Sequence, residues 1–139
     1  MQWLVYALLA AVFAALTAIL AKVGVEGVNS HLATAIRTVV VLGLSWALVF
    51  GLGAQKEIGD LTRKNWTFLI LSGIATGFSW LFYFRALQTG DVSKVAPIDK
   101  LSIVLTMALA FIFLGEPFTT KTAIGGALIA SGVLVLAIK

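Results

Sequence analysis

Five long apolar runs dominate the sequence, and each is long enough to cross a lipid bilayer. A membrane-spanning helix needs about 20 consecutive apolar residues, and this chain of 139 residues is 60% hydrophobic and only 12% charged. Such a small share of charged residues could not coat a water-soluble globule. The runs are also too continuous for barrel strands, and an open sheet in lipid would leave backbone groups unpaired. The sequence therefore predicts an all-α integral membrane protein.

Turn-forming and charged residues between the apolar runs set the predicted helix boundaries. We predict a single transmembrane domain with five helices at about residues 1–21, 32–54, 66–88, 93–115 and 122–138. Thr119 or Thr120 is positioned to cap the last helix. Because the four connections between these helices are short, successive helices are expected to be antiparallel neighbours in one bundle.

Small residues recur at helical spacing and predict where helices pack closely. Glycine and alanine allow two helix backbones to approach each other in lipid. The predicted packing positions are Gly73, Gly77, Gly125, Gly126, Ala130 and Gly132. The last predicted helix has almost no polar side chain inside it, which favours a packing or dimerising role.

Hydroxyl side chains form stripes along the second, third and fourth predicted helices. These positions are Thr34, Thr38, Ser45, Ser72, Thr76, Ser79, Ser102 and Thr106. Because lipid cannot satisfy a hydroxyl, the stripes are expected to face inward and line a polar cavity. Trp80 and Tyr83 lie beside the third-helix stripe, where they either line that cavity or pack between helices and at the interface.

Four charged residues fall within the apolar runs or near their ends, namely Arg37, Arg85, Asp99 and Lys100. If the chain alternates sides, all four lie towards the same membrane face. Each charge costs about 2.5–3.5 kcal/mol at the bilayer centre, so a cluster implies charged partners or a wet cavity. Asp99 balances one of three cations, which leaves positive charge for an anionic or carboxylate-bearing solute. We therefore predict substrate or coupling roles here, although Arg85 and Lys100 could also extend to lipid headgroups.

Asp99 is the one acidic residue well inside a predicted span. It is the natural proton carrier if transport is coupled to protons, and the alternative is a fixed salt bridge with a neighbouring cation. The sequence leaves both roles open.

Several classes of function lack the residues that they need. The chain has no cysteine, and it shows no metal-ligand spacing, nucleophile triad or phosphate loop. Its net charge of +4 is spread over single basic residues at helix ends rather than gathered in a nucleic-acid patch. We expect no cofactor, no metal, no nucleic-acid partner and no enzymatic activity.

The basic residues give a weak bias for orientation. With alternating sides, one membrane face holds Lys56, Arg63, Lys64 and Lys121, and the other holds Lys22, Lys94 and Lys139. Adding the embedded cations to the second face reverses this small excess, so the positive-inside rule gives no firm orientation. Many transporters combine two halves of inverted topology. An odd number of spans therefore predicts an antiparallel homodimer with dual topology.

Four sequence segments resemble the EamA-like branch of the drug/metabolite transporter superfamily. They are RAL at residues 85–87, VAPI at 95–98, FLGEP at 113–117 and GGALIASGV at 125–133. Many members of that superfamily contain two inverted five-helix repeats, and this chain is similar to a single repeat. The resemblance implies a multi-pass protein of a prokaryotic cell (inner) membrane.

The resemblance also implies export or exchange of small polar metabolites, including amino-acid-like compounds, with proton coupling in some members. The solute and the lipid bilayer would then be its partners, together with the second copy of an antiparallel homodimer working by alternating access. Two alternatives stay open: a non-transporting membrane subunit or assembly factor that needs a partner chain, and efflux of small cationic drugs. The second is less favoured because residues 1–21 lack the acid that four-helix multidrug relatives carry.

Overall fold

The computed structural model describes residues 2–138, and its regular secondary structure is helical throughout that range. Six α-helices are present: α1 (Gln2–Gly24), α2 (Ser30–Leu52), α3 (Arg63–Thr89), α4 (Val92–Asp99), α5 (Leu101–Leu114) and α6 (Thr120–Ala137). A 3-10 segment, Ala54–Asp60, follows α2. No strand occurs among the described residues, so the predicted all-α class is confirmed. Met1, where the first helix was predicted to begin, and Lys139 lie outside the described residues.

Five stretches are long and apolar enough to cross a membrane. Four of them are α1, α2, α3 and α6, and the fifth is Val92–Leu114, which combines α4 and α5. Their large apolar side chains are mostly exposed on the surface of the single chain. In a soluble protein such exposure would promote aggregation, whereas in a bilayer lipid tails cover it.

The chain divides into two compact units. The central unit covers Leu20–Gln88, and the flanking unit combines the residues up to Ile19 with those from Thr89 onward. The central unit holds the end of α1, all of α2 and almost all of α3. The flanking unit holds α4, α5 and α6.

Side-chain caps in the central unit move the helix boundaries from those predicted. α2 begins at Ser30, two residues before the predicted start, because the Asn29 side chain accepts hydrogen bonds from the backbone N–H groups of His31 and Leu32. It ends at Leu52 rather than at residue 54, because Gly53 adopts φ 74°, a left-handed conformation that glycine takes without steric cost.

The start of α3 also differs from the prediction. It begins at Arg63, three residues before residue 66, because Thr62 and Asn65 cap it reciprocally. The Thr62 N–H donates to Asn65 Oδ1 at 3.1 Å, and the Asn65 N–H donates to Thr62 Oγ1 at 3.2 Å. This exchange satisfies backbone donors that would otherwise lack partners at a helix N-terminus.

In the flanking unit, the predicted fourth helix is interrupted at Lys100. Pro97 has no N–H to donate, and its ring conflicts with continuous α-helical geometry. The chain passes the interruption with shorter-range bonds, from Lys100 N–H to Pro97 O at 2.9 Å and from Ile103 N–H to Lys100 O at 3.0 Å. The expected single helix over residues 93–115 is therefore two helices.

α6 packs against α4 and α5 within the flanking unit. It begins at Thr120 because the Thr119 hydroxyl accepts a hydrogen bond from the Thr122 N–H at 3.1 Å, so Thr119 is the cap residue. Gly126 is buried, and a Cβ at this position would lie 3.5 Å from Met107 Sδ. The missing side chain thus lets α6 lie close to α5.

Candidate functional site

Arg37 lies against two aromatic rings of α3 within the central unit. The centre of its guanidinium group is 5.3 Å from the ring centroid of Trp80 and 4.8 Å from that of Phe84. Both distances lie within the range of cation–π attraction. Trp80 and Phe84 are four residues apart on α3, so their rings stand one above the other on one helix face. We call these three residues the arginine–aromatic cluster.

Arg37 lies well inside the α2 span. Arg37 is half-buried and lies about 10 Å along α2 from the first residue, counted at 1.5 Å per residue. Among residues 20–88 it forms no ion pair with an acidic side chain. Each aromatic contact offsets about 0.5–2 kcal/mol of the cost of holding a cation there, against about 2.5–3.5 kcal/mol on insertion scales. The aromatic contacts thus offset part of the cost of holding this cation in an apolar span.

Phe84 and Leu87 anchor the end of α3 in the central unit. Phe84 is 1% exposed and Leu87 is fully buried, and they are the largest fully buried side chains described. The Tyr83 ring meets the Phe84 ring edge-on at 6.0 Å between centroids. The ring that Arg37 covers is therefore closely packed.

A polar pocket of about 510 Å³ opens where the end of α3 meets the loop between α1 and α2. Its polar lining consists of Lys22, Glu26, Asn29, Arg85 and Gln88. We call it the loop pocket. All of its lining residues belong to the central unit.

Hydrogen bonds across the loop pocket fix its walls. Gln88 Nε2 donates to Val25 O at 3.2 Å and also to Val28 O, and Lys22 Nζ donates to Leu87 O at 2.7 Å. The other end of the same amide, Gln88 Oε1, accepts a hydrogen bond from Arg85 Nη1 at 3.4 Å. The bonds from Lys22 and from the Gln88 NH₂ group join residues 60 to 65 positions apart in the sequence and hold the loop on the end of α3.

Asp99 and Lys100 lie at the α4–α5 interruption of the flanking unit and pair with each other. Lys100 Nζ is 3.1 Å from Asp99 Oδ2, and the two side chains are about half and one third exposed. Such a pair of neighbours in sequence, open to its surroundings, adds little stability by itself. The pair keeps a carboxylate and an ammonium group together where the fourth span is interrupted between α4 and α5.

The predicted hydroxyl stripes satisfy part of their hydrogen-bonding capacity within their own helices. Thr34 donates to Ser30 O at 2.9 Å, Thr38 donates to Thr34 O at 2.8 Å, and Thr76 donates to Ser72 O at 2.9 Å. Thr34 is buried. The other stripe residues are exposed on the single chain: Thr38, Ser45, Ser72, Thr76, Ser79, Ser102 and Thr106. A threonine bonded to its own backbone needs no polar cavity, so these hydroxyls do not define a site by themselves.

The predicted packing positions differ in their surroundings. Gly126 is buried against α5, whereas Gly73, Gly77, Gly125 and Gly132 have no neighbouring atom within 4 Å of an added Cβ. These four positions are therefore open on the single chain.

Lys22, Glu26 and Gln88 are polar residues of the loop pocket that the sequence did not single out. In the sequence, Lys22 counts only toward the orientation of the chain, and Gln88 is the last residue of the third predicted helix. The position of Lys22 in the last turn of α1, beside an acid in the following loop, was the available local signal. The contact of Lys22 with Leu87 could not be read from local spacing.

Comparisons with known proteins place the chain among transporters. Residues 1–138 match the EamA-like transporter family. The chain is 51% identical over 137 residues to an uncharacterized transporter in the cobO 3' region of Sinorhizobium sp., covering 99% of this chain and 97% of that protein.

More distant relatives come from an archaeon and from yeast. An uncharacterized protein of Methanocaldococcus jannaschii is 30% identical over 99 residues, covering 71% of this chain and 72% of that protein. A probable transport protein of Saccharomyces cerevisiae is 33% identical over 78 residues, covering 56% of this chain and 22% of its own greater length. No solved structure matches the chain.

Proposed function

This chain belongs to the EamA-like transporter family, and from that premise we propose that it exports or exchanges small polar, amino-acid-like metabolites by alternating access. The observation that carries this proposal is Arg37, held half-buried on Trp80 and Phe84 in an apolar span. A cation kept there without an acidic partner in its own unit favours a solute with a carboxylate. Transport, rather than catalysis, is the role that this arrangement serves.

In this mechanism the arginine–aromatic cluster holds the guanidinium ready for a ligand. When a carboxylate arrives, Arg37 donates two parallel hydrogen bonds to it, a geometry that a planar guanidinium provides and an ammonium does not. Trp80 and Tyr83 line the apolar part of the path. Because the aromatic contacts are weaker than a desolvated ion pair, the guanidinium exchanges one partner for the other.

Asp99 and Lys100 supply the coupling step of the proposed cycle. Their pair stands at the interruption between α4 and α5, and discontinuous helices are a frequent location for coupling sites in transporters. Proton uptake by Asp99 would break the pair and release Lys100. The direction of solute movement then depends on the proton gradient across the membrane.

We place two copies of the chain in an antiparallel homodimer within the inner cell membrane of a prokaryote. Five spans put the two ends of the unit on opposite membrane faces, and the basic residues give a weak preference for orientation. The similarity in length to the Sinorhizobium protein supports a five-helix unit as the building block. Two inverted copies would form the equivalent of a two-repeat transporter.

A transport assay in proteoliposomes tests the solute class. We expect purified protein to move at least one labelled amino-acid-like solute, and Arg37→Gln to reduce uptake about tenfold or more, because a charge-assisted hydrogen bond contributes about 1.5–3 kcal/mol. Arg63→Gln, at the start of α3, is the matched control and should keep uptake.

Two results would contradict the proposal. Vesicles that move no small solute would favour a subunit that needs a partner chain. If the vesicles take up cationic drugs, and Arg37→Gln leaves that uptake unchanged, efflux of small cationic drugs would be favoured instead.

A further inference from the structure

The buried polar face of α2 leads directly to Arg37. Ser30 and Thr34 are the two buried polar side chains among the described residues, at 2% and 6% exposure. With Arg37 they follow the spacing i, i+4, i+7, which places all three on one side of the helix. The Cβ atoms of residues three apart on a helix lie about 5–6 Å from each other. Because helical side chains tilt toward the helix N-terminus, Arg37 extends toward the turn that holds Thr34.

The hydroxyl of Thr34 has already committed its proton. It donates to Ser30 O at 2.9 Å, and a hydroxyl has one proton and two acceptor lone pairs. Within the part of the chain that the structure describes, no group donates to Thr34 Oγ1. Thr34 can therefore only accept a hydrogen bond from a ligand, whereas Arg37 can only donate. A buried acceptor and a half-buried donor thus stand about one helical turn apart.

An ammonium group would match this acceptor poorly. Among the described residues of the five spans the one acid is Asp99, which belongs to the flanking unit and is paired with its neighbour in sequence. The acids of the central unit, Glu26, Glu57 and Asp60, all lie outside its α-helices. Because a carboxylate already balances the charge of Arg37, an added ammonium would be an uncompensated cation in an apolar span. A neutral hydrogen-bond donor avoids this cost.

We propose that the solute is an α-hydroxycarboxylate, the hydroxy analogue of an amino acid, and that Thr34 is the residue that selects it. Arg37 holds the carboxylate with paired N–H donors. The hydroxyl on the adjacent carbon of the solute donates to Thr34 Oγ1. This inference deepens the proposed function and rests on one part of it, namely that a carboxylate of the solute binds Arg37.

Binding to the purified protein in detergent, followed by ligand-observed NMR titration, tests this selection without requiring transport. The probes are lactate, propionate and alanine, which share one carbon skeleton and carry a hydroxyl, a hydrogen and an ammonium on the same carbon. We expect lactate to bind about threefold to tenfold more tightly than propionate, because it adds one neutral hydrogen bond. Lactate should also bind more tightly than alanine. Arg37→Gln should weaken all three probes.

Variants of Thr34 separate the hydroxyl from the shape of the side chain. Thr34→Val replaces the hydroxyl by a methyl group, so it should lower the affinity for lactate to that for propionate and leave propionate unchanged. Thr34→Ser keeps a hydroxyl and should keep the preference for lactate. Thr67→Val is the matched control, because the Thr67 hydroxyl makes the same kind of bond to its own helix, to Arg63 O at 2.9 Å. Thr67 is exposed near the start of α3, and its variant should keep the preference.

The assignment is overturned if none of the probes binds, or if alanine binds as tightly as lactate. It is also overturned if Thr34→Val, with an unfolding temperature like that of the wild type, keeps the preference for lactate or weakens lactate and propionate equally. Failure of transport is a separate result. Lactate bound with the Thr34-dependent preference but not taken up by proteoliposomes would contradict transport and support this site. Uptake of alanine without any binding of lactate would support transport and overturn this site.

Discussion

Arg37 shows how a membrane helix can hold a cation on aromatic surface. Its guanidinium lies 4.8 and 5.3 Å from two ring centroids, and guanidinium groups are weakly enough hydrated to favour such stacking. The aliphatic part of the side chain meanwhile remains compatible with its apolar surroundings. Arg37 therefore connects α2 to α3 and also keeps a positive charge inside the span.

A double-mutant cycle between Arg37 and Trp80 measures this contact. Arg37→Gln and Trp80→Leu should be non-additive, with a coupling of about 0.5–2 kcal/mol in the free energy of unfolding, because each removes the same cation–π contact. Unfolding in detergent followed by circular dichroism gives the four free energies.

The same cycle with Trp66→Leu is the control, because Trp66 lies near the start of α3 and is 47% exposed. Its coupling to Arg37 should be close to zero. An equal coupling for both tryptophans would mean that the Trp80 contact contributes nothing specific.

At the level of residues, the sequence could identify polar groups in apolar surroundings but not their partners. Hydropathy alone singled out Arg37 and Asp99, because a charge in a span is unusual, whereas Trp80 was predicted from its position beside the third-helix stripe. That the hydroxyls line a cavity stays a prediction, and Thr34 and Thr76 also bond to carbonyls of their own helices. The loop pocket depends on contacts between distant segments, which have no local pattern.

At the level of elements, length and apolar composition were sufficient to find the five spans. The boundaries shifted by up to three residues because caps such as Asn29 and Thr62 act through individual hydrogen bonds, which average hydropathy does not detect. The interruption at Lys100 had a sequence signal in Pro97. An isolated proline can kink or break a helix, and the outcome depends on local geometry.

The contact between α5 and α6 leads to a prediction about Gly126. A Cβ there would be in ordinary contact with Met107 Sδ at 3.5 Å, so Gly126→Ala should be tolerated. Gly126→Leu should destabilise the protein by about 1–3 kcal/mol, because a longer side chain overpacks this contact. Thermal unfolding in detergent measures the difference.

Gly43→Leu on α2 is the control, because Gly43 is not among the predicted packing positions and has open space around an added Cβ. It should change the unfolding free energy by less than about 0.5 kcal/mol. If Gly43→Leu destabilised the protein as much as Gly126→Leu, the close approach of α6 to α5 would not be the cause.

At the level of the whole molecule, the weak charge bias can be shifted experimentally. Glu57→Lys with Gly59→Lys adds positive charge to the 3-10 segment, whereas Lys56→Gln with Lys64→Gln removes it from the same membrane face. By the positive-inside rule, each double variant should insert mainly in one orientation, the two being opposite. Since the chain has no cysteine, a single Leu61→Cys reports the side of this loop to membrane-impermeant reagents.

If the working unit is an antiparallel pair, each double variant alone should lose transport, and production of both together should restore it. A protein with Leu61→Cys as its single change should be labelled from both sides of the membrane. Full transport by a variant with one orientation would rule out the antiparallel homodimer and direct attention to a parallel assembly.

The hydrogen bonds from Gln88 and Lys22 also have a mechanical consequence. They fasten residues 22–28 to the end of α3, so a displacement of this loop would carry that helix end with it. Any hinge between α2 and α3 would then lie at their other ends. There Gly53, with φ 74°, and the short 3-10 segment Ala54–Asp60 join the two helices.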